Sequence, residues 1–167
     1  MDDAFFMGEA LIEARLAGAT GDIPVGAVAV RGGQIIARGH NQREAGRDPT
    51  AHAELLVIRE AARVLGGWRL VGVTLYCTLE PCPMCAGAMV QARLPELVFA
   101  VTDPKAGAAG SVLNLLTGAQ LNHRVLVRTG ILQAEAMRLM QDFFAALRDG
   151  QVRRWSRRPG RTGGAVL

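Results

Sequence analysis

The stretch Leu79-Glu80-Pro81-Cys82-Pro83-Met84-Cys85-Ala86-Gly87-Ala88-Met89 decides the reading of this chain once it is set beside a distant partner, Thr50-Ala51-His52-Ala53-Glu54. Together they offer one imidazole and two thiolates to a metal, with a carboxylate that need not bind it. Three protein ligands with the fourth position left for water is the pattern of a catalytic zinc site. The ligand set is His52, Cys82 and Cys85. Each half falls where a helix should begin, and helix N-termini carry free N–H groups and partial positive charge that favour thiolates. Glu54, two positions past His52, lies close to the metal without facing it. It is the candidate general acid–base residue, able to take a proton from water and pass it to a leaving group.

Working outward, strands and helices alternate. Residues 3 to 19 read as an amphipathic helix, with Phe6, Met7, Ala10, Leu11, Ala14 and Ala17 inward and Glu9 and Glu13 outward. Val25 to Val30 and Gln34 to Arg38 are strand-like runs around Gly32-Gly33, a hairpin signal. A polar loop runs to Pro49. Thr50 is the expected N-cap of a helix reaching Leu65, with Leu55, Ile58, Ala62 and Leu65 as its apolar stripe. Val73 to Cys77 is a third strand, and the cysteine motif opens a helix to about Arg93 that is apolar on nearly all sides, and so buried, in part against a second subunit. Leu97 to Val101 and Val125 to Val127 are further strands around a glycine-rich loop. Ile131 to Leu147 is a final helix with Ala134, Met137, Met140, Phe144 and Leu147 on one side. This order implies an α/β protein with helices on both faces of a sheet.

The length of 167 residues suits one domain, taken here as residues 1–147, followed by a basic, loosely held tail over 148–167. The tail holds six arginines against one aspartate, while the body holds 13 basic against 14 acidic residues. Arg148, Arg153, Arg154, Arg157, Arg158 and Arg161 suit either an RNA-binding tail or a solubilising end, and Trp155 among them either stacks on a base or packs on the body. No apolar run reaches the ~18 residues of a membrane helix. The start Met1-Asp2-Asp3 lacks the basic opening of a secretory signal, so the expected location is cytoplasmic, with no membrane partner.

Each residue has a plainer reading. A lone C-x-x-C is common in redox and structural zinc sites, and a lone H-x-E carries no signal. Their joint presence, with Pro81 before the first cysteine, favours catalysis. Cys77 alternates onto the face of Val73 and Leu75 and reads as a buried structural thiol. His40 and His123 lack ligand spacing. Glu80 reads as a structural hydrogen-bonder.

His-x-Glu followed by Pro-Cys-x-x-Cys is the signature of the zinc deaminases. From about residue 5 to 147 the chain resembles the bacterial tRNA-specific adenosine deaminases of the cytidine deaminase superfamily. The resemblance rests on Ile23-Pro24-Val25-Gly26-Ala27-Val28, His40-Asn41, Asp48 to Glu54, Thr78 to Cys82, Met84 to Ala88, Gly107-Ala108-Ala109-Gly110-Ser111, Asn122-His123-Arg124 and Gly130-Ile131-Leu132. The metal motifs alone indicate only the superfamily; Asp103, Lys105 and the Gly-Ala-Ala-Gly-Ser loop narrow it to the tRNA enzymes. The resemblance implies a three-layer α/β/α sandwich around a five-stranded mixed sheet, one Zn2+ per subunit and a homodimer. It also implies a tRNA anticodon stem-loop as substrate, whose wobble adenosine becomes inosine. Asn41 would hydrogen-bond the flipped nucleoside, Val25 and His52 would wall the base, and the N–H of Ala53 would contact it. Asp103 and Lys105 would lie along the RNA.

Two other readings compete. A free-base deaminase such as guanine deaminase shares His-Ala-Glu and Pro-Cys-Pro-Met-Cys, but needs neither the Asp103–Ser111 loop nor a basic tail. A non-catalytic zinc or RNA-binding module would close its site with four ligands and have no use for Glu54.

Overall fold

The computed structural model describes residues 2–118 and 120–152. A five-stranded sheet in the order β2-β1-β3-β4-β5 forms the middle layer. Its strands are β1 (Gly26–Arg31), β2 (Gln34–His40), β3 (Val73–Leu79), β4 (Glu96–Val101) and β5 (Leu126–Thr129). β1 runs antiparallel to β2 and β3, while β3, β4 and β5 are parallel, so the sheet is mixed. The β1–β2 turn is made by Gly32 and Gly33 at φ of 58° and 77°, both left-handed, which suits a two-residue hairpin and the twist of its strands.

The helices are α1 (Asp3–Ala19), α2 (Arg43–Gly46), α3 (Ala53–Leu65), α4 (Pro83–Gln91) and α5 (Gln133–Arg148). Strand residues alternate between two cores, as the period of two demands. Ala27, Ala29, Val73, Leu75, Cys77, Leu97 and Phe99 point to one core, which α3 and α4 cover with Val57, Ile58, Met89 and Val90. Val28, Val30, Tyr76, Val98 and Ala100 point to the other, closed by α1 and α5 through Phe6, Met7, Leu11 and Ala136. The expected three-layer α/β/α sandwich around a five-stranded mixed sheet is therefore present.

Several local expectations are corrected. Glu13 does not face outward: its side chain is buried against the end of β2, 2.8 Å from His40 Nδ1 and 3.9 Å from Arg38 Nη1. The cause is the close seat of α1 on Gly26, where a Cβ would lie 2.1 Å from the Ala10 carbonyl oxygen. Thr50 is not the cap of α3. Its N–H and hydroxyl both donate to Asp48 Oδ1 at 2.7 Å, and His52, in an extended conformation, takes the cap position. The inward stripe of α3 is Ala53, Glu54, Val57, Ile58 and Ala61, with Leu55, Ala62 and Leu65 half-buried at its margin. Small residues face in because β2 is close: a Cβ on Gly39 would meet Val57 Cγ2 at 3.2 Å. On α5, Ala136 and Phe143 are buried while Ala134 and Met137 are exposed, a shift of phase set by Leu132, whose left-handed φ of 52° fixes where the helix starts. α4 buries Cys85, Ala86, Met89 and Val90 within this chain, as expected of an apolar helix, and leaves Pro83, Met84 and Gln91 exposed. The polar loop after β2 contains α2, held by Asp22, whose Oδ2 accepts the N–H of Glu44 at 2.8 Å.

Candidate active site

The site forms where the N-termini of α3 and α4 meet beyond the end of β3. His52 caps α3 and Cys82 caps α4, with Pro83 in the first turn, where its missing N–H costs nothing. Neither cap residue bonds its own helix N–H groups through its side chain, so both side chains are left to meet each other. Cys85 lies in the first turn of α4 and is fully buried.

His52 Nδ1 is 3.7 Å from Cys82 Sγ and 3.6 Å from Cys85 Sγ, and the two sulfurs are 3.7 Å apart. A tetrahedral zinc with bonds of about 2.3 Å to sulfur and 2.0–2.1 Å to nitrogen needs separations of about 3.6 Å for N···S and 3.8 Å for S···S. The three donors fit that ion as they stand. They are the one group of three or more His, Cys, Asp or Glu ligand atoms gathered within 4.8 Å among the described residues.

The electrostatics favour one anionic sulfur. Hydrogen bonding from Cys85, against the opposing effect of burial and with help from His52, pulls the Cys82 thiol down to about 4. Cys85 is pushed up by the neighbouring Cys82 sulfur and by burial. The Cys82 sulfur raises His52, against burial. A dication held by these donors would displace their thiol protons.

Glu54 sits in the first turn of α3 and is 3 % exposed. Burial lifts its carboxyl to about 7, opposed by its own backbone N–H, His52 and Cys85. Its Oε2 is a buried polar atom with no hydrogen-bond partner among the described residues. A carboxylate oxygen left bare beside a three-donor cluster has an open place for a water or substrate proton, and a value near neutrality lets it both accept and release one.

Asn41, buried at the end of β2, accepts the Ala53 N–H through Oδ1 at 2.9 Å, and its own N–H donates to Val25 O at 3.0 Å. Val25 and Ala53 are buried in the same core as Cys85. The N–H of Ala53, expected to contact a base, is thus engaged by Asn41 in this structure. Asp103 and Lys105 lie on the loop after β4; Asp103 Oδ1 accepts the N–H of Lys105 at 2.9 Å and of Ala106 at 3.3 Å. Lys105 is exposed. Arg148 is exposed at the end of α5, and Arg153, Arg154, Arg157, Arg158, Arg161 and Trp155 lie outside the described residues. Cys77 is fully buried, and burial raises its thiol well above the usual range. His40 bonds Glu13, and His123 Nε2 lies 2.6 Å from the Leu94 carbonyl. Asp22, which anchors the start of α2, and Glu13, which bonds His40 beside Asn41, were missed by sequence reasoning.

A mixed five-stranded sheet carrying His-x-Glu and Cys-x-x-Cys at facing helix starts defines a deaminase of the cytidine deaminase-like fold, and residues 1–148 match the MafB19-like deaminase family. A tRNA-specific adenosine deaminase of Bacillus subtilis is 50 % identical over 146 residues, which span 87 % of this chain and 91 % of that one. The chain belongs to the tRNA-specific adenosine deaminase family. A solved tRNA:A34 deaminase, studied for A-to-I editing at the wobble position of transfer RNA, superposes with a TM-score of 0.78 at 43 % identity, covering 81 % of this chain and 98 % of its own. Guanine deaminase of Nitrosomonas europaea superposes with a TM-score of 0.75 at 27 % identity, covering 85 % and 84 %. A solved guanine deaminase of Bacillus subtilis is 41 % identical but covers only 66 % of this chain and 71 % of its own, with a TM-score of 0.59, so the fold and local identity do not separate the tRNA enzymes from the free-base ones; the match of 50 % identity over 87 % of this chain to a tRNA-specific enzyme does.

Proposed function

We propose that this chain is a zinc-dependent tRNA adenosine deaminase that converts the wobble adenosine of an anticodon stem-loop to inosine. The observation that carries the chemistry is the bare, buried Glu54 Oε2 beside His52, Cys82 and Cys85 at tetrahedral spacing. Family membership carries the substrate. His52, Cys82 and Cys85 would hold one Zn2+ per subunit, which would supply the Lewis acidity that makes water a nucleophile at neutral pH.

The remaining work falls to the chain. Water adds at C6 of the base and the exocyclic C6–N bond breaks, releasing ammonia. Glu54 accepts the water proton on Oε2 and delivers a proton to the departing nitrogen, so that no net proton is consumed by the side chain. Asn41 has its carbonyl end pinned by Ala53, which turns its NH2 end into an oriented donor for the flipped nucleoside. Val25 and the His52 ring wall the base. Asp103, Lys105 and the arginines of the tail lie along the RNA, which must present its base unstacked because the ring carbon cannot be reached inside a stack. The reading takes residues 1–147 as the catalytic domain, a match supported over 1–148, and assigns a homodimer acting in the cytoplasm. Among the described residues no helix is long and apolar enough to cross a membrane.

The test is substrate choice. Pure protein is given, in separate reactions, a stem-loop with a wobble adenosine, the same loop with that adenosine moved one position, and free guanine. Inosine in the first alone is expected. Faster turnover of guanine would overturn the reading in favour of a free-base deaminase.

A further inference from the structure

Glu80 stands two residues before the ligand Cys82, yet it is 2 % exposed and committed elsewhere. Its Oε1 accepts the N–H groups of Ala109 at 3.0 Å and Ser111 at 3.1 Å. Its Oε2 accepts the N–H of Asp103 at 2.9 Å and the hydroxyl of Ser111 at 2.5 Å. A carboxylate has about four lone-pair sites, and here four donors fill them. Glu80 therefore has no oxygen left to move a proton, in contrast to Glu54.

All four bonds come from one loop, residues 103–111, and both of its ends are included. The loop backbone is pressed against the carboxylate. A Cβ on Gly107 would lie 2.4 Å from both Cδ and Oε2 of Glu80 and 2.6 Å from the Asp103 carbonyl oxygen. A second tie joins the same parts, since the Ala108 N–H donates to Pro81 O at 2.8 Å. An isolated buried carboxylate is strongly unfavourable, so the loop must take the one course that brings its donors inward. That course leaves Lys105 at the surface and fixes it relative to Pro81-Cys82.

We propose that Glu80 is a positioning residue that locks the 103–111 loop to the metal-ligand segment. It thereby holds Asp103 and Lys105 in register with the reacting base and sets affinity for RNA, not the rate of the chemical step. This rests on the tRNA deaminase reading above.

The test is steady-state kinetics of the zinc-replete full chain on the wobble-adenosine stem-loop. Glu80→Gln keeps the size of the side chain but presents an NH2 to N–H donors, breaking at least one oxygen's pair of bonds. KM should rise about tenfold or more, the scale of losing charge-assisted hydrogen bonds, with kcat within about threefold and zinc content unchanged. Ser111→Ala, which removes a single bond, should raise KM less and in the same direction, and Ser111→Thr, which restores the hydroxyl at an exposed position, should recover it. If Glu80→Gln does not fold, the Ser111 pair decides. An unchanged KM in these variants, or a fall in kcat with loss of zinc at constant KM, overturns the proposal. A wild-type chain that deaminates no stem-loop overturns the functional reading itself.

Discussion

Replacing Gly26 by alanine should loosen the whole α1 side of the molecule. The new Cβ would lie 2.1 Å from the Ala10 carbonyl oxygen, 2.4 Å from the Ala14 nitrogen and 2.8 Å from Glu13 Cβ. Carbon–oxygen contacts close to about 3.3 Å, so α1 must retreat by roughly 1.2 Å. The obstacles are helix backbone, which cannot step aside as a side-chain tip can. Overpacking of this kind costs about 1–3 kcal/mol, and the upper part of that range applies here. The retreat also carries Glu13 away from His40, now 2.8 Å from it and the neighbour of Asn41. With a urea m-value of about 1–3 kcal/mol/M, the unfolding midpoint should drop by roughly 1 M at unchanged slope. Gly8→Ala on the same helix is the control. Among the described residues, nothing beyond its own helix backbone and chain neighbours lies within 4 Å of its added Cβ, and a mid-helix alanine should stabilise by about 0.5–1 kcal/mol. Urea titration of the three proteins by far-UV circular dichroism reads both effects. A Gly26→Ala midpoint equal to wild type, or a Gly8→Ala loss as large as that of Gly26→Ala, would refute the close seat of α1.

Two further outcomes follow from the structure and the sequence. Arg128 holds Asp3 below the usual carboxylate value, against partial burial and with help from the Tyr76 hydroxyl at 2.7 Å. A depressed folded value means stability that is present above the unfolded value of about 3.9 and lost as pH falls through the folded one. The wild type should therefore lose more stability than Asp3→Asn between about pH 5 and pH 3; parallel melting-temperature profiles would contradict this. Cutting the chain after Gly150 should weaken stem-loop binding and flatten its salt dependence, because arginines that neutralise phosphates release counterions on binding, with little change in single-turnover rate at saturating RNA. An unchanged salt slope would show the tail to be a solvated end.

Much of this molecule was legible from its sequence because the informative residues are locally constrained. Gly32-Gly33 can make only a tight hairpin, and period-two alternation placed Cys77 on the face of Val73 and Leu75, where it is buried. The ligand trio followed from spacing, since a cysteine pair one helical turn apart at a helix start brings two sulfurs to one point. What was not legible depended on distance between elements. The helix stripes were phased on the largest apolar residues, whereas α3 turns Ala53 and Ala61 inward because β2 lies close, and α5 is phased by one left-handed residue. Glu13 looked like a solvated face until Gly26 brought its helix onto the sheet. The four-donor cradle of Glu80 joins residues 23 to 31 positions apart, a closure that no local pattern encodes.

The central claim is that Glu54 moves protons beside a three-ligand zinc without holding it. Zinc content and inosine formation measured on the same preparations of wild type and Glu54→Gln test it most directly. The account predicts equal, stoichiometric zinc in both and a loss of about 10²–10⁴-fold in single-turnover rate for the variant. A variant that deaminates the stem-loop at the wild-type rate, or one that has lost its zinc, would contradict it.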